Sequence, residues 1–367
     1  MRVIFRCDAS IQIGTGHVMR CLTLADALAA RGAVCYFICR EHEGHLLEVI
    51  RKGGHQVYSL PFKADVEKSG KNGIKLLHAD WLGATQQEDT QQCIDIIKLI
   101  EPDWLIVDHY AIDIVWEKML RPYCKKLMVI DDLADRAHDC DILLDQTFGR
   151  HTEDYLDWIP DNCQVLCGSK YALLRPEFAK WRDYSLERRK DGMLKHLLIN
   201  LGGVDKDNIT SKILKGLQNS SLPECCKITV VMGSTAPWIE SVKAQAKALP
   251  WKTQVKSGVN NMAELMANSD LAIGAAGSTS WERCCLGLPT VMLVLAENQL
   301  LIAKNLEETG AVLLTKLNET LIADLGIEYI IRNDNLLFMS KAARLICDGL
   351  GAQRASKLLT NNSKDTF

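Results

Sequence analysis

A histidine follows two glycines near the start of the chain, in the stretch "IGTGHVMRC" at residues 13–21. Gly14 and Gly16 permit a tight turn and are candidate substrate-binding residues, because their backbone can closely approach a diphosphate or sugar. The apolar periodicity that begins at His17 predicts a helix from that point. The free N–H groups and positive dipole end of a helix N-terminus favour anions and disfavour a cationic imidazole. His17 is therefore predicted to be a neutral imidazole that acts as a general base, with a purely local hydrogen-bonding role as the alternative.

Arg20 lies one helical turn after His17, and the apolar pattern places it on the polar side of the helix with Thr23. A guanidinium at this point can hold a phosphate or a carboxylate of a ligand. A solvated surface arginine is an equally weighted alternative.

A second pair of glycines, Gly202 and Gly203, follows the strand-like run "LLIN" and precedes a predicted helix near Asn208. Backbone without side chains can approach a ligand closely, so the pair is a candidate binding turn. The alternative is a simple strand-to-helix turn, and the motif does not decide between the two by itself.

A third glycine-rich turn lies in the stretch "GAAGSTSWERCCLGLP" at residues 274–289. Gly277, Ser278 and Thr279 open a predicted helix, whose free N–H groups suit a diphosphate. Glu282 lies one turn further, where a carboxylate suits the two hydroxyls of a ribose. The alternative for Glu282 is an acidic side chain that only complements the helix dipole.

Polar residues also follow other predicted strands. Asn298 and Gln299 lie at the start of a helix, where they are either caps or ligand contacts. The stretch "DHYAID" places Asp108, His109 and Tyr110 directly after a strand. The stretch "DDLADR" at residues 131–136 contains paired acids that can bind a metal, although a turn with an aspartate cap is the commoner meaning.

The elements that must position these residues are short apolar runs alternating with helical patterns. Many of the runs are apolar almost throughout, which is typical of strands buried on both faces of a parallel sheet. The predicted strands are 2–5, 33–39, 56–60, 103–108, 126–131, 141–145, 164–168, 196–203, 227–233, 253–258, 270–277, 290–295 and 311–315. In open α/β sheets ligands bind beyond the carboxyl ends of the strands, where all the motifs above lie.

This pattern predicts an α/β fold of two doubly wound, Rossmann-type domains facing a central cleft. The predicted boundaries are an N-terminal domain at 1–174, a linker helix at 175–192, a C-terminal domain at 193–345, and a C-terminal helix and tail at 346–367. Residues 62–90 lack clear periodicity and are interpreted as an irregular surface insertion.

Composition narrows the class of protein. The chain has 367 residues and a net charge of -3, with 47% hydrophobic and 24% charged residues, which is ordinary for a globular protein and gives no basis for a nucleic-acid or membrane partner. No apolar run reaches the roughly 20 residues that cross a bilayer. The 14 cysteines include no CxxC motif, so we expect no zinc site and mostly buried, reduced thiols in a cytoplasmic protein.

Taken together, the glycine-rich first loop, the linker helix and the 274–289 stretch followed by "NQ" resemble the GT-B glycosyltransferases of the MurG type. More closely, four stretches resemble the PseG family, the UDP-2,4-diacetamido-2,4,6-trideoxy-β-L-altropyranose hydrolases of pseudaminic acid biosynthesis. They are "FRCDASIQIGTGHVMRCLTLA", "YALLRPEF", "INLGGVDKDN" and "GSTSWERCCLGLP…ENQ". The resemblance runs from residue 1 to about 310. The 62–90 stretch and the residues after about 315 carry no recognised motif.

The resemblance implies a hydrolase that removes UDP from the anomeric carbon by inverting attack of water, without metal or other cofactor. His17 matches the catalytic base of that family, and Tyr110 and Asn298 match positions expected to contact the sugar or diphosphate. Ser278, Thr279 and Glu282 match the uracil-ribose and diphosphate site. The implied partner is a small UDP-sugar, and the protein is expected to be a cytoplasmic monomer or weak oligomer.

Two other functions remain open. In a GT-B glycosyltransferase, His17 would deprotonate an acceptor hydroxyl instead of water. In a non-catalytic nucleotide-sugar binding module, His17 would be dispensable. The predicted helix at 88–101 offers no basic patch for a lipid acceptor, which favours a small soluble substrate.

Overall fold

The computed structural model describes residues 1–62, 76–315, 327–331 and 335–361. The chain forms two compact units. The first comprises Met1–Leu173 and the part of the chain from Leu350 onward, and the second comprises Leu174–Gly349.

The first unit is built on a seven-stranded parallel sheet in the order β3-β2-β1-β4-β5-β6-β7. Its strands are β1 (Arg2–Cys7), β2 (Val34–Arg40), β3 (Gln56–Leu60), β4 (Trp104–Asp108), β5 (Lys126–Ile130), β6 (Ile142–Asp145) and β7 (Gln164–Cys167). Its helices are α1 (Gly16–Ala29), α2 (Leu47–Lys52), α3 (Gln86–Ile100), α4 (Ile114–Leu120) and, from the end of the chain, α13 (Gly351–Asn361).

The second unit contains a six-stranded parallel sheet in the order β10-β9-β8-β11-β12-β13. Its strands are β8 (His196–Asn200), β9 (Lys227–Met232), β10 (Lys252–Ser257), β11 (Leu271–Ala275), β12 (Thr290–Leu293) and β13 (Val312–Thr315). Its helices are α5 (Pro176–Arg188), α6 (Ile209–Leu217), α7 (Ile239–Lys247), α8 (Met262–Ala267), α9 (Thr279–Cys285), α10 (Leu300–Glu308), α11 (Ile327–Ile331) and α12 (Asn335–Ile346).

Both sheets reverse their strand order at the first strand of the unit, β1 in one and β8 in the other. This is the doubly wound topology, so the predicted α/β class with two doubly wound units is confirmed. Every predicted strand is present. Central strands such as β4 and β11 are buried at every residue, as continuous apolar runs predict. The predicted linker helix, 175–192, is observed as α5 and a short 3-10 turn, and it belongs to the second unit.

Alternation along the strands decides which side chains meet which helix. Trp104 and Ile106 of β4 share an apolar cluster with Val18 and Leu24 of α1. Leu105 and Val107 lie in a different cluster with α3 and α4. Because side chains alternate along a strand, Asp108 follows Trp104 and Ile106 toward α1.

The predicted polar side of α1 is wrong. Arg20 and Thr23 are both buried. Helix α1 packs against α13, and Arg20 is paired with Asp108 and Asp132. The amphipathic pattern of the helix considered alone gave no sign of α13, which lies more than 300 residues later in the chain.

The 62–90 stretch divides into three parts. Residues 63–75 lie outside the described residues. Ala79–Leu82 form a short 3-10 helix, and α3 begins at Gln86 behind a capping box in which Thr85 and Glu88 exchange hydrogen bonds. The residues from 362 onward, in the predicted C-terminal tail, also lie outside the described part.

All 14 cysteines are free thiols, most of them buried. No helix among the described residues is long and apolar enough to cross a membrane.

Candidate active site

Four aspartates mark the carboxyl ends of neighbouring strands in the first unit. Asp8 follows β1, Asp108 ends β4, Asp131 follows β5 and Asp145 ends β6, and all four are fully buried. Parallel strands end at the same edge of a sheet, so these carboxylates collect at one edge, beside the N-terminus of α1. A buried carboxylate is costly unless it is paired, which directs attention to their partners.

His17 is paired with Asp108. Its Nδ1 atom lies 2.6 Å from Asp108 Oδ1, and both side chains are buried. Strand β4 lies beside β1 in a register that sets Asp108 opposite Cys7, directly under the start of α1. An ionised carboxylate only accepts hydrogen bonds, so this contact requires the proton of His17 to be on Nδ1. The lone pair of the imidazole is then on Nε2.

Arg20 binds the same carboxylate of Asp108. Its Nε donates to Asp108 Oδ2 at 2.6 Å and its Nη2 donates to Asp108 Oδ1 at 2.7 Å, a bidentate contact. Its Nη1 donates to Asp132 Oδ2 at 2.7 Å. The alternative of a solvated surface arginine is therefore wrong, while direct binding of a ligand by Arg20 stays a prediction.

The ion pairs shift the pKa values of this cluster. Burial on its own would raise the pKa of the Asp108 carboxyl, but Arg20 and His17 outweigh it and hold that pKa well below its usual range. Burial lowers the pKa of Arg20, but Asp108 and Asp132 reverse this and bring it well above the ordinary value. Asp108 and Arg20 therefore both stay charged throughout the physiological range.

Tyr110 packs against the histidine. Its ring lies edge-on to the His17 ring, with 4.6 Å between ring centroids. Its hydroxyl donates to Asp132 Oδ1, so Asp132 links Tyr110 to Arg20. Burial, and then the charge of Asp132, raise the pKa of the Tyr110 hydroxyl well above its ordinary value, so it keeps its proton.

The charges of this cluster do not cancel while His17 is neutral. Asp108 and Asp132 carry two negative charges, and Arg20 carries one positive charge. The negative charge that remains is neutralised when His17 accepts a proton at Nε2. Asp108 holds the His17 imidazole in one orientation and tautomer, as the aspartate of a Ser-His-Asp triad does.

The loop before α1 is held by hydrogen bonds between its own residues. The N–H of Gly14 donates to the Ser10 carbonyl at 2.9 Å, and Ser10 Oγ accepts from the N–H of Ile13 at 2.8 Å. Gly14 has a φ of 81°, a left-handed conformation that side-chain-bearing residues rarely adopt. Gly16 is the first residue of α1, so the turn places His17 in the first turn of the helix.

The paired acids of the "DDLADR" stretch have separate partners. Asp131 accepts hydrogen bonds from the N–H groups of Leu133 and Ala134, which is the aspartate-capped turn considered above. Asp132 instead joins Arg20 and Tyr110. No group of His, Cys, Asp and Glu side chains within the described residues is arranged to hold a metal ion.

In the second unit, the loop between β11 and α9 rests on a buried arginine. Arg283 Nη2 donates to the Ala275 carbonyl at 2.7 Å, and Nη1 donates to Thr279 Oγ1 at 3.2 Å. A Cβ on Gly274 would collide with Arg283 Nη1, so only glycine leaves room for this guanidinium. By contrast, a Cβ on Gly277 would meet no atom within 4 Å. The loop at Gly277 therefore presents open backbone.

Glu282 lies in the first turn of α9 and is partly buried. Burial raises its pKa to about 7, and the positive charges of Arg175 and Arg283 oppose only part of that shift. A carboxyl with this pKa changes its charge near neutral pH, and hydroxyl groups that donate to it would favour the ionised form.

The remaining predicted site residues lie in two other loops of this unit. Gly202, with a φ of 97°, and Gly203 follow β8, and Asp205 in the same loop accepts from the N–H groups of Ile209 and Thr210 at the start of α6. Gln299 Oε1 accepts from the N–H of Leu295 at 2.9 Å. The side chain of Asn298 lies outside the described part of the structure. Ligand contacts of these residues stay predictions.

Sequence reasoning missed two partners in the first unit. It placed Asp108 at the sheet edge without pairing it to His17, and it did not connect Asp132 with Arg20. A signal was present, because an aspartate recurs at the ends of β1, β4, β5 and β6. The pairing itself depends on the strand order, which places β4 beside β1.

Comparison with known proteins gives one matching family domain and several relatives. Residues 197–344 match the glycosyltransferase family 28 C-terminal domain. The chain is 30% identical over 279 residues to the UDP-2,4-diacetamido-2,4,6-trideoxy-β-L-altropyranose hydrolase of Campylobacter jejuni subsp. jejuni, covering 76% of this chain and 86% of that protein. It is 29% identical over 303 residues to an uncharacterized protein of Methanocaldococcus jannaschii, covering 82% of this chain. The alignment spans only 57% of the length of that archaeal protein.

Among solved structures, MurG of Acinetobacter baumannii is similar over 98% of this chain and 99% of that chain, with a TM-score of 0.68. The sequence identity is 18%, so this likeness concerns the fold. It agrees with the GT-B class expected from the sequence.

Proposed function

The chain belongs to the family of the UDP-2,4-diacetamido-2,4,6-trideoxy-β-L-altropyranose hydrolase, and we propose that it is an enzyme that hydrolyses this UDP-sugar, or a close analogue, to UDP and the free sugar. The reaction would be a step of pseudaminic acid biosynthesis. The observation that carries the proposal is the pairing of His17 with Asp108, which orients the imidazole and leaves Nε2 available as a base.

In the proposed mechanism, His17 Nε2 takes a proton from a water molecule as the oxygen of that water attacks the anomeric carbon. The bond from that carbon to the diphosphate oxygen breaks, the electron pair leaves with UDP, and the configuration at the carbon inverts. The pairing of His17 with Asp108 supports the step, because it holds the imidazole in one orientation and tautomer.

One base suffices for this chemistry. An inverting glycosidase normally uses two carboxyl groups, one to protonate an alcohol leaving group and one to activate water. Here the leaving group is a diphosphate, which departs without a protonating acid. The enzyme then has to hold the diphosphate, position the water and accept one proton.

We assign the UDP moiety to loops of the second unit. The backbone at Gly277, Ser278 and Thr279 is proposed to bind the diphosphate, and Glu282 the ribose hydroxyls. Gly202, Gly203, Asn298 and Gln299 are further candidates for the same ligand. The negative charge of the His17 cluster supports this division, because it disfavours a diphosphate lying directly on it.

The test is incubation of the protein with the UDP-sugar in ¹⁸O-water without an acceptor. UDP release with the label in the sugar is expected, because the proposed step breaks the carbon–oxygen bond. Label in UDP would mean attack at phosphorus and would contradict the mechanism.

A matched pair of variants tests the base. His17→Gln should lower kcat by about 10²-fold or more, the usual contribution of a general base. His55→Gln is the control, because His55 is also paired with an aspartate, Asp26, but precedes β3 at the opposite edge of the sheet. Near-normal turnover in His17→Gln would exclude His17 as the base.

A glycosyltransferase is the second candidate, favoured by the match of residues 197–344 to a glycosyltransferase family domain. In that case His17 would deprotonate an acceptor hydroxyl. UDP release that depends on an added acceptor, with none in water alone, would support it.

A further inference from the structure

Two aromatic side chains of the 62–90 stretch extend the ring cluster at His17. The His78 ring lies 4.2 Å from the Trp81 ring and 5.4 Å from the Tyr110 ring, measured between centroids. Trp81 and Tyr110 are stacked at 5.8 Å with 30° between their planes. Since Tyr110 also touches His17, the four rings form one continuous surface, which we call the aromatic wall.

The wall is partly open. His17 and Tyr110 are buried, whereas His78 and Trp81 each keep part of their surface exposed. Trp81 rests on the apolar cluster below it, and the His78 ring packs against the rings of Trp81 and Tyr110. Packing in the core thus explains the buried side of Trp81. It does not explain the exposed surface of the His78 and Trp81 rings.

The exposed part of the wall is also uncharged. Burial is the main cause that lowers the pKa of His78, and Arg136 and His17 lower it further, while Asp135 opposes them. A neutral imidazole beside an indole presents flat apolar surface, and Tyr110 connects this surface to His17. Ligand sites commonly combine aromatic walls of this kind with a few polar groups.

We propose that His78 and Trp81 are sugar-binding residues that contact the pyranose ring held beside His17. The inference rests on the proposed function and adds to it which sugars these residues favour. These are hexoses with apolar substituents, such as acetamido or deoxy methyl groups. Methyl groups and ring C–H faces lose water against the aromatic surface, which favours their binding. Contact on this side also fixes the distance between the anomeric carbon and the base.

The experiment measures dissociation constants calorimetrically for UDP and for UDP-2,4-diacetamido-2,4,6-trideoxy-β-L-altropyranose, in a His17→Gln background that limits turnover. Trp81→Ala should weaken binding of the UDP-sugar about tenfold or more and leave binding of UDP unchanged. Trp81→Phe should retain most of the affinity. UDP-glucose, which lacks apolar substituents, should lose less affinity than the diacetamido sugar in Trp81→Ala.

Leu82→Ala is the matched control. Leu82 belongs to the same short 3-10 helix and is 1% exposed in the apolar cluster beneath it. The variant should lower thermal stability without changing the ratio of the two dissociation constants. If Trp81→Ala behaves in the same way, Trp81 is a packing residue and the inference is overturned.

The outcomes also separate this inference from the hydrolase. If the wild-type protein releases no UDP in water, but Trp81→Ala still loses sugar affinity selectively, the hydrolase is contradicted and the sugar-binding wall is supported. If the His17→Gln protein with Trp81 intact binds UDP and the UDP-sugar equally, the sugar contributes nothing to binding, and the proposed contact of His78 and Trp81 with the sugar is overturned.

Discussion

His17 Nδ1 lies 2.6 Å from Asp108 Oδ1, although 91 residues separate them in sequence. The contact arises because β1 and β4 are neighbours in the sheet and α1 begins directly after the β1 loop. It fixes both the orientation of the imidazole and the nitrogen that carries its proton. The same carboxylate is held by Arg20, so the histidine, its partner and the counter-ion form one unit.

Asp108→Asn should abolish most of the activity with little change in substrate binding. The asparagine side chain keeps the shape but can donate to Nδ1, which would put the proton of His17 on Nε2 and remove the base. A loss in kcat of about 10⁴-fold, as for the equivalent change in a Ser-His-Asp triad, is the expected scale. Steady-state kinetics of UDP release give kcat and KM separately.

Asp113→Asn is the control for that variant. Asp113 caps α4 by accepting from the N–H of Val115, a task that asparagine performs equally well. Normal kcat in Asp108→Asn would show that the carboxylate does not set the tautomer of His17.

Arg20→Met should destabilise the first unit. It leaves Asp108 and Asp132 buried or half-buried without their shared cation, and breaking a buried ion pair in this way costs about 3–5 kcal/mol. The free energy of unfolding from denaturant titration is the measurement. Arg31→Met, at an exposed arginine just after α1, should change it by less than about 0.5 kcal/mol.

Arg20→Met should also change how the free energy of unfolding depends on pH under acidic conditions. Because the pKa of Asp108 is depressed in the folded protein, its ion pair stabilises fully above the unfolded carboxyl pKa of about 3.9, and this stabilisation is lost as the pH falls further. In Arg20→Met the free energy of unfolding should therefore fall less steeply below about pH 5. An unchanged slope would contradict the pairing of Arg20 with Asp108.

UDP binding should release a proton from Glu282 near neutral pH. Its pKa is about 7 in the free protein, and ribose hydroxyls that donate to the carboxylate would lower it. Calorimetric titration with UDP at pH 6.5, repeated in buffers of different ionisation enthalpy, measures the number of protons released. Glu282→Gln should remove this buffer dependence, and an equal dependence in both proteins would rule out Glu282 as the ribose ligand.

Gly274→Ala and Gly277→Ala should impair different properties, the first folding stability and the second UDP binding. A Cβ on Gly274 collides with Arg283 and lies 3.0 Å from the Asn200 carbonyl oxygen, so overpacking should cost about 1–3 kcal/mol of folding stability. A Cβ on Gly277 meets nothing, so Gly277→Ala should fold normally but weaken UDP binding by obstructing the backbone. Thermal unfolding and UDP titration of both variants distinguish the effects. Normal UDP affinity in Gly277→Ala would argue against the diphosphate at this loop.

Much of the fold was predictable because the relevant signals are local. Continuous apolar runs such as 104–107 and 271–273 indicate strands buried on both faces, and alternation with helices implies parallel sheets. The candidate residues of the first loop were equally visible, because glycines before a helix mark a place where backbone is exposed. The burial of Arg20 was not visible, since its partners are two carboxylates that lie 88 and 112 residues away along the chain.

The sequence by itself determined the two doubly wound units, the loops at their strand ends and the choice of His17 as a candidate base. Only the tertiary structure decided which side chains complete that histidine. Strand order set Asp108 beneath α1, the turn after β5 brought Asp132 to Arg20, and the 3-10 helix at residues 79–82 brought Trp81 to Tyr110. The physical reason is that the residues of a chemical site are far apart in sequence, and tertiary packing fixes the distances between them. Local propensity determines only the helices and strands that pack.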